Sequence, residues 1–327
     1  MSEPLSVDHE EGVSGAPAVE RRRPVASFFR RLLKEQPLGA AAGVVVLVLV
    51  FVTIFAEQLT PYEYDIGRIR DRMKGPSLEH PLGTDHVGRD VLARILKGAQ
   101  VSLLVGLTAT VLNTMVALLV GGTTGFIGGR IDVYTQRFVD AWMSFPGLLL
   151  LLTIMSLVDR SIVTVIVVLG VTGGIPASRV VRGAVIGIKE NDYFLAAKAV
   201  GTPPTRILLR HVLPNIAAPL IVIFSINVGA VIIAEASLSF LGFGLPVNVP
   251  SWGGMLSREG RRYMELAPRL ALWPGLCLTV TVYCLNMFGD AMRDLLDPRL
   301  RGGQGSYGTA RMKRKRGFLS RLINPFA

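Results

Sequence analysis

Long apolar runs alternate with polar connections along the chain, and most of the runs have the length a bilayer demands. Leu38–Ala56, Val101–Ile127, Ser161–Ser178, Ile216–Phe240 and Leu270–Met292 each hold about twenty residues, enough for a helix to cross a hydrocarbon core roughly 30 Å thick. A shorter run, Phe145–Val158, starts near Pro146 and gains length by taking in Trp142 and its neighbours. The pattern predicts an all-α membrane protein with six transmembrane helices.

The connections carry their own signals. Residues 1–36 are polar, and Arg21, Arg22, Arg23, Arg30, Arg31 and Lys34 cluster before the first span. The first twenty residues read as disordered. Ser27–Leu33 reads as a membrane-surface helix with Phe28, Phe29, Leu32 and Leu33 toward lipid. This basic-then-apolar start is too long for a signal peptide and predicts an uncleaved anchor. Residues 37–100 hold the first span and an external connection, whose second half predicts an interfacial helix. Asp85 is its expected N-cap, and Val87, Val91, Ile95 and Leu96 recur at helical spacing. Residues 101–300 form the core. In it Gly121, Gly125 and Gly129 fall four apart, as do Gly170 and Gly174, which lets helices approach closely. Arg130–Ala141 reads as a short polar loop, and Leu241–Arg269 as a Gly- and Pro-rich connection. Residues 301–327 form a Gly-containing linker and a basic tail, Arg311–Arg316, suited to anionic lipid headgroups.

Glu190–Asn215 departs from this plan, because a polar, helix-forming stretch lies between two spans. Asn191 or Asp192 caps a predicted helix over Tyr193–Val200, and Gly201 ends it. Phe194, Ala197 and Val200 share a face with Ala196 beside them, so small residues surround one aromatic anchor. Thr202 then caps a second helix with Pro203 at its first position, and Arg206, Arg210 and His211 make it basic. Pro214 is expected to break this helix at the root of the next span. The residues alone fit either a docking surface or an interfacial hairpin over lipid headgroups.

Composition narrows the function classes. Half of the 327 residues are hydrophobic and 18% are charged; the mean hydropathy is +0.46. The net charge of +11 follows from Lys and Arg flanking the spans, so nucleic acid is not the expected partner. Most of the 35 Lys and Arg fall on the side of the two termini and of Glu190–Asn215, which assigns these to the cytoplasm. Cys277 and Cys284 lie seven apart on one predicted helix, about 10 Å between Cα atoms, beyond disulfide reach. His9, His80, His86 and His211 show no metal-ligand spacing, no phosphate-binding P-loop pattern occurs, and no convergent catalytic set stands at a membrane boundary. The polar residues within spans are Asn113, Asn227 and Glu235, which either line a pathway or hydrogen-bond within the bundle. Trp252, on the outer side, suits a contact with an external protein or an aromatic interface anchor.

AAKAVGTPPTRILLRHVLPN resembles the cytoplasmic "EAA" motif of permease subunits of bacterial ABC importers. Ala196, Ala197, Gly201, Leu213 and Pro214 match it, while Leu195 stands in place of the motif's acid and His211 in place of its isoleucine. LGTDHVGRDVLARILKGAQVSLLVG, SFPGLLL, AEASLSFLGFG, PSWGGML and GDAMRDLLDPRLRG resemble the C-type permease of dipeptide and oligopeptide importers, in the right order over about Gln36 to Arg301. The resemblance implies a type I importer fold in the bacterial cytoplasmic membrane. The implied partners are a second homologous permease, two cytoplasmic ATPases and an external binding protein that delivers a peptide. ATP and Mg²⁺ would be bound on the ATPases, so this chain would hold no cofactor and would not itself be an enzyme. The helix Tyr193–Val200 would be the coupling helix. Tyr193, Phe194, Leu195, Ala196, Ala197, Val200, Gly201, Arg206 and Pro214 would form the coupling site, with Glu235 in a structural or gating role. Nickel or another small solute such as glutathione is the alternative cargo; a non-transporting membrane scaffold or sensor is a more distant alternative.

Overall fold

The computed structural model describes residues 24–296; the expectations for the first twenty residues and for the tail after Arg301 lie outside them. Among the described residues the structure is helical, with one isolated β-bridge between Thr84 and Asp90. Helix α1 (Pro24–Glu35) leads into the first span, α2 (Pro37–Ile54). Leu32 of α1 is buried beside Ala40, Ala291 and Leu295, so it holds α1 on the bundle, and Leu33 is exposed. The side chains of Phe28 and Phe29 lie outside the described part.

The second span is α3 (Val91–Ala117), a π turn (Leu118–Gly122) and α4 (Thr123–Ile127). Together they run 37 residues, about 55 Å, well beyond a bilayer core. The predicted interfacial helix and second span are therefore one element, and its N-cap is Asp90, which accepts from Ala93 N at 2.7 Å. Asp85 is not the cap. It closes a turn instead, accepting from the backbone N–H groups of Val87 and Arg89, both at 2.9 Å, where Gly88 has φ 83°.

The third span differs most from expectation. Arg130–Ala141 is not a loop but the body of α5 (Gly129–Met143). Phe145–Val158 yields only α6 (Gly147–Leu157), 11 residues, too short to cross a bilayer alone. The two helices meet at 89° across Pro146, so the segment is a broken span or a re-entrant pair. Helix α7 (Ile162–Lys189) is capped by Ser161, which accepts from Thr164 N at 3.0 Å. Beyond it come α8 (Asp192–Ala199), α9 (Pro204–Ile207), a second π turn (Leu208–Val212) and α10 (Leu213–Phe240). A four-residue helix α11 (Trp252–Met255), a third π turn (Leu256–Gly260) and α12 (Arg269–Leu296) complete the fold. By length and apolarity the structure offers five spans, or six if α5 and α6 count as one.

Two apolar clusters fix the bundle. One joins α3, α6, α7 and α10 through Val105, Ala109, Met155, Val165 and Leu238. The other, nearer the polar insert, joins Ala117, Val181, Val185, Phe194, Val212 and Ile216. Helices α3–α4 and α7 touch backbone to backbone. Gly121 lies against Ser178 O, and a Cβ on Gly125 would stand 3.0 Å from Arg182 O, so any side chain at these glycines would part the helices.

Candidate functional site

The insert forms a short arm at one end of the bundle. Asn191 sits at the N-cap of α8 with extended backbone, but its side chain does not cap; Nδ2 donates back to Gly187 O at 3.2 Å and Ile188 O at 3.3 Å. Val200 is the C-cap, and Gly201 takes φ 78°, a conformation that favours glycine. Tyr193, Leu195, Ala196 and Val200 are exposed, with Val200 85% open, and Ala197 is half-buried. Phe194 corrects the sequence reading of an outward anchor. It is 7% exposed and meets Phe126 edge-on, ring centroids 6.5 Å apart, so it ties α8 to its own bundle.

The second helix also differs from expectation. Helix α9 begins at Pro204, Pro203 is its extended N-cap, and Thr202 does not cap it. Arg206 is exposed. Pro214 breaks nothing: Pro204–Phe240 form one 37-residue helical run. Pro214 stands at the start of α10, just after the π turn, where a missing N–H is accommodated.

In the middle of the bundle lies a cavity of about 380 Å³. Asn113 of α3 and Asn227 of α10 face it, with Trp142, Phe145, Thr172 and Gly173 among the other walls. Asn113 is 3% exposed and its Oδ1 has no hydrogen-bond partner among the described residues. Trp142 Nε1 donates to Thr172 O at 3.3 Å. Glu235 does not line this cavity. It is fully buried and accepts from Ser239 Oγ at 2.7 Å and Ser102 Oγ at 3.4 Å, which joins α10 to α3.

Trp252 is not a surface contact either. At 1% exposure its ring lies against Gly98, and its Nε1 donates to Ile95 O at 3.2 Å, so it locks α11 onto α3. The adjoining face holds a buried ion network. Glu259 Oε1 accepts from Arg94 at 3.0 Å and Arg89 at 3.2 Å, and Arg89 Nε also donates to Asp85 at 2.7 Å. Asp85, His86 and Glu259 bring possible metal-ligating atoms within 4.8 Å of one another. Arg89 and Arg94 already neutralise both carboxylates, so a divalent cation there would meet two competing positive charges. Burial pushes the neighbouring Arg258 guanidinium below its ordinary value, with Glu259 opposing the shift.

Several residues that bear on the site were not singled out in the sequence. Asp132 of α5 accepts two bonds from Arg182 of α7, each 2.6 Å, and Asp140 of α5 pairs with Arg179. The acids eight apart and the arginines three apart fit helix faces, but nothing in the sequence pairs the two sets. Lys189, which donates to the end of α4, had no signal, because its carbonyl partners are invisible in sequence.

Residues 100–302 match the family described as "Binding-protein-dependent transport system inner membrane component". The chain belongs to that family. Residues 24–78 match the "N-terminal TM domain of oligopeptide transport permease C". Similar curated proteins include the "Glutathione transport system permease protein GsiD" of Pectobacterium atrosepticum, 37% identical over 282 residues, covering 86% of this chain and 93% of that protein. The protein of the same name from Escherichia coli O1:K1 is 37% identical over 283 residues, covering 86% and 92%. Among solved structures, a chain of an inward-facing MetNI methionine ABC transporter aligns with TM-score 0.50 and 18% identity, covering 62% of this chain and 96% of that one. This likeness shows the fold. The protein is a multi-pass inner-membrane permease subunit of an ABC importer, a transport rather than a catalytic subunit.

Proposed function

We propose that the chain forms half of the translocation pathway for a small peptide, with glutathione, itself a tripeptide, as the first candidate. The observation that carries this reading is the 37% identity, over 86% of the chain, to permeases named for glutathione transport. The match of residues 24–78 to an oligopeptide permease segment supports the same cargo class. A second permease would complete the pathway, an external binding protein would deliver the peptide, and two cytoplasmic ATPases would bind ATP and Mg²⁺. Helix α8 would be the coupling helix, with exposed Tyr193, Leu195, Ala196 and Val200 in the ATPase groove and Arg206 at its edge. Asn113 and Asn227 would line the path, whereas Glu235 would hold α10 against α3. Both termini and α8 would face the cytoplasm, on the side where Lys and Arg are concentrated.

The cargo is tested by purifying the binding protein with the complex and identifying its ligand by mass spectrometry and calorimetry. A bound di- or tripeptide, with glutathione competing for the site, is the expected result. A binding protein that takes nickel and no peptide would overturn the cargo assignment.

A further inference from the structure

Lys189 is the last residue of α7, and its ammonium reaches across to the end of α4. It donates to Gly125 O at 3.1 Å and Phe126 O at 3.0 Å. Carbonyls in the last turn of a helix lack in-helix donors, and a cation there also meets the negative end of the helix dipole. Five residues further on, Phe194 packs on Phe126, so α8 as well as the end of α7 is tied to α4. Behind these ties, α3–α4 and α7 are pressed together along their length. Gly121 and Gly125 lie against the α7 backbone, and a Cβ on Gly170 or Gly174 would stand 2.7 Å from Leu112 or 2.6 Å from Val116. Helices α4, α7 and α8 are therefore fastened to one another.

The other exit from α8 is built differently. After Gly201 the chain is extended at Pro203, and α9 has only four residues. The π turn Leu208–Val212 then intervenes before α10, with Pro214 and Pro219 following it. The root of α10 nevertheless packs in the same apolar cluster as Phe194, through Val212 and Ile216.

We infer that Lys189 and Phe194 are positioning residues of the coupling step: Lys189 fastens the end of α7 to α4 and Phe194 fastens α8 to α4, so a push on α8 is delivered to the α4–α7 pair. Asn113 lies on the helical run that ends in α4, so movement delivered there would change the cavity that Asn113 shares with Asn227. The inference rests on α8 being the coupling helix, as proposed above.

The test uses the complete complex in proteoliposomes, with ATP hydrolysis and peptide uptake measured on the same sample. Uptake by the wild-type complex is established first; its absence would count against the proposed function, not against this linkage. Lys189→Met should leave hydrolysis near the wild-type rate and lower uptake per ATP by about tenfold. Lys189→Arg, which can reach the same carbonyls, should restore most of it. Unchanged uptake per ATP in the Met variant, or an Arg variant as impaired as Met, would overturn the inference. If the Met variant does not assemble, spin-label distances in a Cys277→Ser, Cys284→Ser background decide the matter. The Ile127→Cys/Lys198→Cys distance, from the end of α4 to α8, should stay fixed through the ATP cycle. A distance that changes with nucleotide state overturns it.

Discussion

Phe194 and Leu195 are neighbours on one short helix and face opposite ways. Phe194 is buried against Phe126, while Leu195 is 53% exposed. Their substitutions should therefore separate folding from docking. Phe194→Ala leaves a cavity under α8 and should destabilise the permease by about 3 kcal/mol, lowering its thermal midpoint. Leu195→Glu, which supplies the acid of the EAA motif, should leave that midpoint unchanged, because surface substitutions usually shift stability by about 0.5 kcal/mol or less. Retention of the ATPases during purification should match or exceed that of the wild type. A Leu195→Glu protein that melts early would mean that this face packs on the bundle. At this scale the sequence identified residues better than it oriented them. Asn113 and Asn227 were recognisable as polar groups inside spans. That they share one cavity, while Glu235 is satisfied by Ser239 and Ser102, depends on helix rotation, which hydropathy does not specify. Trp252 was misjudged for the same reason: its burial comes from Gly98 and Ile95, about 155 positions away in the chain.

At the scale of elements, α8 and its terminal glycine were legible because capping and αL signals are local. Gly201 has φ 78°, yet a Cβ there would meet nothing within 4 Å. A side chain at this position therefore carries a backbone cost, about 1–2 kcal/mol, and no internal clash. Gly201→Asn should accordingly retain more ATP-linked uptake than Gly201→Val, since Asn tolerates the left-handed region and a β-branched residue does not. Initial uptake rates of the two variants check this; equal loss in both would show that the ATPase groove, rather than the backbone, excludes the side chain. The elements that were not legible are those set by distant partners. Helix α5 is polar in sequence because its acids meet Arg179 and Arg182 of α7, so its charges looked like a loop. The run Pro204–Phe240 stays helical through Pro214 because the preceding π turn absorbs the disruption, an accommodation that proline signals alone do not reveal.

At the scale of the whole molecule, span length was enough to give a polytopic helical protein. The broken α5–α6 pair was beyond reach, because the 89° bend at Pro146 is a tertiary feature. The architecture that results is a glycine-packed contact between α3–α4 and α7 beside a cavity bearing Asn113 and Asn227. On the proposed reading, a push on α8 at one end would reach this cavity. The central claim is that ATP hydrolysis by partner subunits drives a small peptide through this chain. The most direct test is accumulation of labelled glutathione in proteoliposomes that contain both permeases and the ATPases, with binding protein supplied on the external face. The account predicts accumulation that requires ATP, the binding protein and this chain together. A complex that hydrolyses ATP normally yet accumulates neither glutathione nor any di- or oligopeptide would contradict it.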